Sequence, residues 1–187
     1  AAEDVLRRYG PAKANVVDVA RALGVSHGSV YRHFNSKAAL RDAVTESWLE
    51  SISSPLQAVA REDGPAADRL QRWLDLLVRS KRTKALDDPE LFATYIELAA
   101  EAREVVNAHV DTLVAQLDRI ISDGVAHGEF EVNDTAAAAR AVFDSTSRFH
   151  NPAHATEWPS PGTDAGYEGV RTLVLRGLER RHSRAET

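Results

Sequence analysis

The polar residues best suited to binding chemistry are concentrated in one short stretch, SHGSVYRHFNSK at positions 26–37. Val30 and Phe34 are four residues apart, so on a helix they share one buried side and the polar side chains project elsewhere. Hydroxyl, imidazole and guanidinium groups donate to phosphate oxygens and reach base edges, and Gly28 allows a close approach of the backbone. The stretch therefore predicts a DNA-binding helix. The alternative is a solvated polar face, with Tyr31 half-buried.

Other residue patterns that carry chemistry are weaker. His150 and His154 have the spacing of a helical metal pair, but Pro152 between them breaks a helix, and the chain has no cysteine and no nearby fixed carboxylate. A packed or ligand-facing histidine is therefore expected, with no metal and no cofactor. The sequence also lacks a glycine-rich phosphate loop and a nucleophile motif, so we do not expect an enzyme. A helical protein whose front motif docks another protein remains a third class.

Charge is distributed unevenly along the 187 residues, whose net charge is -5. Residues 1–47 carry seven basic and five acidic side chains, a net charge of +2. Residues 48–187 carry 16 basic and 23 acidic side chains, a net charge of -7. A mildly basic N-terminal segment followed by an acidic remainder permits DNA binding without requiring it. No run of about 18 apolar residues and no secretion signal is present, so we expect a cytoplasmic protein without a membrane span. The chain begins at Ala1 without methionine, and we expect residues before it.

Hydrophobic spacing favours an all-α fold of about nine helices, because period-two alternation is nearly absent. Asn15 can cap a first short helix that ends at Gly24, and Ser26 can cap a second one after the turn GVS. Two short helices joined in this way form a helix-turn-helix. Asn35 or Ser36 starts a third helix.

The rest of the chain reads as longer helices. Pro55 and the segment EDGPAAD are expected to interrupt the region after the third helix, and three prolines make 150–164 a loop. Asp88 is expected to cap a helix with Pro89 at its first position. The predicted helices span residues 66–82, 89–102, 103–127, 133–149 and 166–181, and Asn133 or Asp134 is expected to cap the fourth of them. The residues expected to face inward are Leu70, Trp73, Leu74, Leu77 and Val78 on the first, Val106, Val110, Leu113, Leu117, Ile120, Ile121 and Val125 on the third, and Val170, Leu173, Val174 and Leu178 on the last.

The segment from Val5 to Val44 resembles the DNA-binding domain of the TetR family of bacterial transcriptional regulators. The matching elements are DVA in the first motif helix, the turn GVS, an apolar residue and tyrosine before HF, and SK followed by leucine. The resemblance implies that the recognition helix enters the major groove, with base contacts at variable positions. Ala14 and Ala38 depart mildly from the family pattern. The implied DNA-binding residues are Asn15, Ser26, His27, Gly28, Ser29, Tyr31, Arg32, His33 and Lys37.

The same resemblance implies a DNA-binding domain at residues 1–47 and a ligand-binding and dimerisation domain at 48–187. The protein would be a repressor that binds a palindromic operator as a homodimer through its last two helices and is released by a small-molecule effector. Alanine-rich packing within one chain is the alternative to that interface, and core packing is the alternative for the aromatic residues. Candidate ligand-binding residues are Trp73, Phe92, Tyr95, Asn107, His109, Phe143, Arg148, Phe149 and His150.

Overall fold

A computed structural model describes residues 36–180, which form seven α-helices, one 3₁₀ helix and no strand longer than a single bridge. This confirms the all-α prediction. The helices are α1 (Lys37–Arg61), α2 (Ala66–Asp87), α3 (Pro89–Glu101), α4 (Arg103–Ala126), α5 (Thr135–Ser145), α6 (Ser147–His150), the 3₁₀ helix (Pro152–Glu157) and α7 (Thr163–Leu178).

The contacts between residues divide the described chain into two compact units. The first unit contains residues 36–52 and 83–110, and the second contains 53–82 and 111–180. Helix α1 also runs without a break across the domain boundary predicted between residues 47 and 48. That boundary stays a prediction.

Side-chain caps begin several helices where the sequence predicted them. Ser36 Oγ accepts the backbone N–H of Ala39 at 3.0 Å, which makes Ser36 the cap of α1. Asp88 Oδ1 accepts the N–H of Leu91 at 3.0 Å, with Pro89 in the first turn, as predicted. Asp134, one of two predicted caps, accepts the N–H of Ala137 at 2.9 Å and starts α5.

The expected interruption at Pro55 is wrong, because α1 continues through this residue to Arg61. A proline inside a helix leaves the carbonyl four residues earlier without its N–H donor. Here both Pro55 and Ser51 are exposed, so water can meet that carbonyl and the helix tolerates the proline.

The helix predicted over 133–149 is broken at Thr146, which separates α5 from α6. The Thr146 hydroxyl is buried and donates to the carbonyls of Val142 and Phe143, so it competes with the regular helical bonds. The loop predicted after it contains a 3₁₀ helix, whose first turn is capped by Asn151 Oδ1 accepting from Ala153 N–H at 3.0 Å.

The second unit has its core on the inward faces of α2 and α4. All five residues predicted to face inward on α2 are buried: Leu70, Trp73, Leu74, Leu77 and Val78. On α4, the predicted stripe is buried at Leu113, Leu117, Ile120 and Ile121. No helix of residues 36–180 has the length and apolar character that crossing a bilayer would require.

Where α4 ends, the chain is tied back to the start of α2. Gly128 adopts a φ of 75°, a left-handed conformation that favours glycine and ends the helix. Glu129 then accepts the backbone N–H groups of Ala66 and Ala67 at 3.0 and 3.2 Å. A carboxylate at this position satisfies donors that the first turn of a helix leaves free, so Glu129 caps α2 from across the unit.

Candidate functional site

Eight of the nine predicted DNA-binding residues lie outside the described residues: Asn15, Ser26, His27, Gly28, Ser29, Tyr31, Arg32 and His33. The ninth, Lys37, is the first residue of α1 and directly follows the capping Ser36. This position puts Lys37 in the first turn of a 25-residue helix, where backbone N–H groups and the helix dipole favour an anion such as phosphate.

In the first unit, two of the predicted pocket residues form an aromatic cluster with Trp48. Tyr95 stacks on Trp48 with ring centroids 4.5 Å apart and planes 7° apart, and Phe92 meets the same indole edge-on at 6.3 Å. All three rings are buried, so they join α1 to α3 in the core of this unit. Of the polar candidates on α4, His109 is buried and Asn107 is exposed.

In the second unit, the predicted wall residue Trp73 belongs to a buried hydrogen-bond chain. Its indole Nε1 donates to Gln116 Oε1 at 2.9 Å, and Gln116 Nε2 donates to the carbonyl of Ser53 at 3.2 Å. Trp73 is completely buried, and Gln116 is 5% exposed. These two hydrogen bonds connect α2, α4 and α1. They give the buried N–H groups of Trp73 and Gln116 the acceptors that buried donors need.

His150, another predicted ligand residue, is buried against α5. Its Nε2 lies 3.3 Å from both the Phe143 carbonyl and the Thr146 hydroxyl, and its ring is 4.7 Å from that of Phe143. Burial is the main effect that lowers the pKa of His150 to about 4; the Phe143 carbonyl opposes this shift, and the nearby charge of Lys81 adds to it. The imidazole is therefore neutral at physiological pH.

The remaining predicted ligand residues lie near the 3₁₀ helix and α7. Phe149 is buried and packs edge-on against Tyr167, with centroids 5.4 Å apart. Arg148 is largely exposed and pairs with Glu157 at 2.9 Å. His154 Nδ1 lies 3.0 Å from the other oxygen of Glu157, and these two partners lower the pKa of that carboxyl.

The two histidines that raised the metal question are thus used differently. His150 faces inward to Phe143, whereas His154 pairs with a carboxylate of the 3₁₀ helix. Within residues 36–180, no group of three or more histidine or carboxylate side chains is placed to hold a metal ion.

A polar seam between α2 and α7 was not predicted. Asp75 Oδ1 accepts from the Tyr167 hydroxyl at 2.8 Å and from Arg171 Nη1 at 2.6 Å, and the Arg171 guanidinium lies 5.6 Å from the centre of the Tyr167 ring. Burial and the carboxylate both raise the pKa of Tyr167 far above its usual value, so the phenol stays protonated. One turn from Tyr167, Asp164 accepts from Arg82 at 2.5 Å.

A signal for this seam does exist in the sequence. Asp75 and Arg82 are seven residues apart, and Tyr167 and Arg171 are four apart, so each pair shares one helix face. The spacing alone does not say which helix carries the partner charges.

The dimer interface predicted on the last two helices corresponds to α5 and α7. Ala136, Ala137 and Ala141 are exposed on α5, and Gly177 is exposed on α7. Leu173 is 71% exposed, whereas Leu178 is buried and Val170 and Val174 are half-buried. The apolar spacing predicts that Leu173 faces the core, but in the single chain its side chain is exposed to solvent.

Known structures share this helical architecture. The crystal structure of a Mesorhizobium loti protein described as a TetR-family regulator aligns with a TM-score of 0.70 over 96% of this chain and 93% of its own, at 16% identity. The regulator FadR from Bacillus subtilis in complex with stearoyl-CoA aligns with a TM-score of 0.62 over 95% and 96% of the two chains, at 17% identity. At these identities the likeness defines the fold alone.

Sequence relatives define the family. Residues 66–171 match the family described as Tetracyclin repressor-like, C-terminal domain, and residues 1–44 match Bacterial regulatory proteins, tetR family. The HTH-type transcriptional regulator TtgR of Pseudomonas putida is 27% identical over 159 residues, which are 79% of this chain and 75% of TtgR. The chain belongs to the TetR family.

Family membership confirms the resemblance read from residues 5–44. The protein is a DNA-binding transcriptional regulator of the helix-turn-helix type and not an enzyme. Regulators of this family act as dimers and bind small-molecule effectors.

Proposed function

We propose that this protein represses transcription by binding a palindromic operator as a homodimer, and that a small-molecule effector releases it from the DNA. The observation that carries the proposal is the family match at both ends of the chain, a DNA-binding segment over residues 1–44 and an effector-type domain over 66–171. We keep residues 1–47 as the DNA-binding domain and 48–187 as the ligand-binding and dimerisation domain. A regulator of this kind works in the bacterial cytoplasm.

The DNA contacts are proposed for the nine residues of the helix-turn-helix segment and the start of α1. Tyr31 and Lys37 would contact the phosphate backbone, and His27, Ser29 and Arg32 would determine which bases are preferred. The place of Lys37 in the first turn of α1 supports a phosphate contact, because that turn favours an anion.

Gel-shift and footprinting experiments with the DNA that flanks the gene test operator binding. We expect a palindromic footprint, and we expect the double variant Tyr31→Ala, Lys37→Ala to lose operator affinity and show a weaker salt dependence. Arg72→Ala is the matched control, since Arg72 is exposed on α2 and pairs only at the surface with Glu62. Unchanged affinity in the double variant, or no salt-sensitive binding at any site, would contradict the proposal.

The homodimer is proposed to form through α5 and α7. A leucine that is 71% exposed on α7 and exposed alanines on α5 support this, because small residues allow close helix approach and an exposed leucine gains from burial. Two recognition helices related by a two-fold axis are what a palindrome requires.

Leu173→Glu should shift the protein from dimer to monomer in sedimentation or light-scattering measurements, because a carboxylate would be buried at the interface. Leu86→Glu is the control, since Leu86 is 66% exposed at the end of α2. A Leu173→Glu protein that stays dimeric, or a Leu86→Glu protein that dissociates equally, would place the interface elsewhere.

The effector is proposed to contact residues from the predicted ligand set. Among these, Phe143 contacts His150 and Phe149 packs on Tyr167, all in the second unit. A mixture of aromatic rings and one neutral imidazole supports the proposal, because such side chains commonly line sites for organic molecules. The stearoyl-CoA complex of the fold relative described above supports a small-molecule ligand for this architecture. A metabolite that raises the melting temperature and releases the operator would identify the effector.

A further inference from the structure

The guanidinium of Arg82 has more hydrogen-bond donors than the surrounding protein uses. Its Nη1 donates to Asp164, and its side chain is 17% exposed. Its Nε and Nη2 atoms are buried, and among residues 36–180 no acceptor meets them. Burying the donors of a charged group without acceptors is unfavourable, so this arrangement calls for a binding role.

The two unmet donors lie on the same edge of the guanidinium. The N–H bonds of Nε and Nη2 are parallel and match the two oxygens of a carboxylate in a bidentate pair. Asp164 accepts from the remaining nitrogen, Nη1, so this ion pair does not use the Nε and Nη2 edge.

The other buried or seam arginines of the second unit are used differently. Arg69 donates both terminal nitrogens, to the carbonyls of Ala60 and Glu62 and to Asp123. Arg171 donates to Asp75, which also accepts from the Tyr167 hydroxyl. Arg69 leaves only its buried Nε without an acceptor among residues 36–180, whereas Arg82 leaves both Nε and Nη2 without one.

The local environment favours an anion with an apolar body. Lys81, the preceding residue on α2, is only 5% exposed and adds a second positive charge within the unit. Tyr167, one turn after Asp164 on α7, packs against Phe149, so buried aromatic rings belong to the same helix as the partner of Arg82. Charge and apolar surface together fit an organic acid better than an inorganic ion.

We propose that Arg82 binds the carboxylate of an organic-acid effector through its Nε and Nη2 edge, between α2 and α7. The proposal rests on the proposed function in that it takes this ligand to be the effector. The rest of the effector would contact the aromatic residues of the second unit.

Benzoate and octanoate, each compared with its primary amide, test the charge requirement in the full chain without DNA. We expect both acids to bind with a Kd below about 10 mM and the amides to bind at least roughly 10-fold more weakly, as measured by calorimetry and thermal stabilisation. Inorganic phosphate should not bind at the same site. Equal binding of acid and amide, binding of phosphate instead of the acids, or no binding of either acid would overturn the proposal.

Variants of Arg82 test the residue itself. Arg82→Gln should weaken acid binding by roughly 10- to 100-fold and leave the amides unaffected. Arg82→Lys keeps the charge but not the paired donors, so it should give an intermediate loss and serves if the glutamine variant fails to fold. Arg72→Gln, on the exposed side of the same helix, should bind like the wild type. Unchanged acid affinity in both Arg82 variants would refute the assignment.

The operator assay separates the two proposals. If the wild type bound no operator, the regulator function would fail, whereas Arg82-dependent acid binding would still be measured in the absence of DNA. If operator binding held but acid binding did not depend on Arg82, this inference alone would fail.

Discussion

Lowering the pH from 7 to 4 should destabilise the protein through His150. This side chain is 3% exposed, and its ring lies against Phe143. Protonation would bury a positive charge in an apolar environment that also contains the charge of Lys81. The Phe143 carbonyl offers one acceptor to the imidazolium, but burial is the larger effect and holds the pKa at about 4.

The size of the effect follows from the difference between folded and unfolded pKa values. The unfolded histidine has a pKa of 6.5 and the folded one about 4, so between these values the unfolded chain binds the extra proton. The stabilising contribution of neutral His150 is therefore fully present above pH 6.5 and is lost as the pH falls through 4. At 1.36 kcal/mol per pKa unit, the loss is about 3 kcal/mol.

Urea unfolding at several pH values between 7 and 4, at one fixed protein concentration, measures this directly for the wild type and His150→Gln. We expect the difference in the free energy of unfolding between the two proteins to shrink by about 3 kcal/mol across the range, because the variant lacks the titrating ring. His127→Gln, which removes an exposed histidine instead of the buried one, is the control. Parallel pH profiles for wild type and His150→Gln would refute the reasoning.

Two further substitutions test the packing of the second unit by the same unfolding measurement. Gln116→Leu removes the acceptor of the buried Trp73 indole and should cost about 2 kcal/mol, whereas Gln71→Leu at an exposed position of α2 should stay within about 0.5 kcal/mol of the wild type. Equal stabilities for these two variants would show that the Trp73 bond contributes nothing. Gly124→Ala should cost about 1 to 3 kcal/mol, because the added methyl would collide with the buried ring of Phe130. A stabilised Gly124→Ala protein would mean that the ring moves aside freely and that helix propensity decides.

Local signals in the sequence predicted the helices well, because caps and apolar spacing act within one or two turns. Asp88 and Asp134 cap the helices they were expected to cap, and the inward face of α2 is the predicted one. Two of the errors come from competition between local effects: solvent exposure lets α1 continue through Pro55, and the Thr146 hydroxyl breaks a helix that alanines favour.

The class of protein was also readable from the sequence, because the residues that carry the family resemblance are contiguous in the chain. For the candidate effector residues, the sequence predicted which side chains to consider but not what each of them contacts. Their roles depend on partners far along the chain: Trp73 bonds Gln116, 43 residues away, and Tyr167 bonds Asp75, 92 residues away.

The sequence by itself thus determined the helical fold, the helix starts and the family, since these depend on neighbouring residues. Only the tertiary structure decided which polar side chains are satisfied. Asp75 and Arg82 share one face of α2, yet Asp75 is matched by two donors from α7 whereas Arg82 keeps two buried donors unmet by residues 36–180. Helix periodicity defines a face, but the partner that meets it is set by how helices distant in sequence pack together.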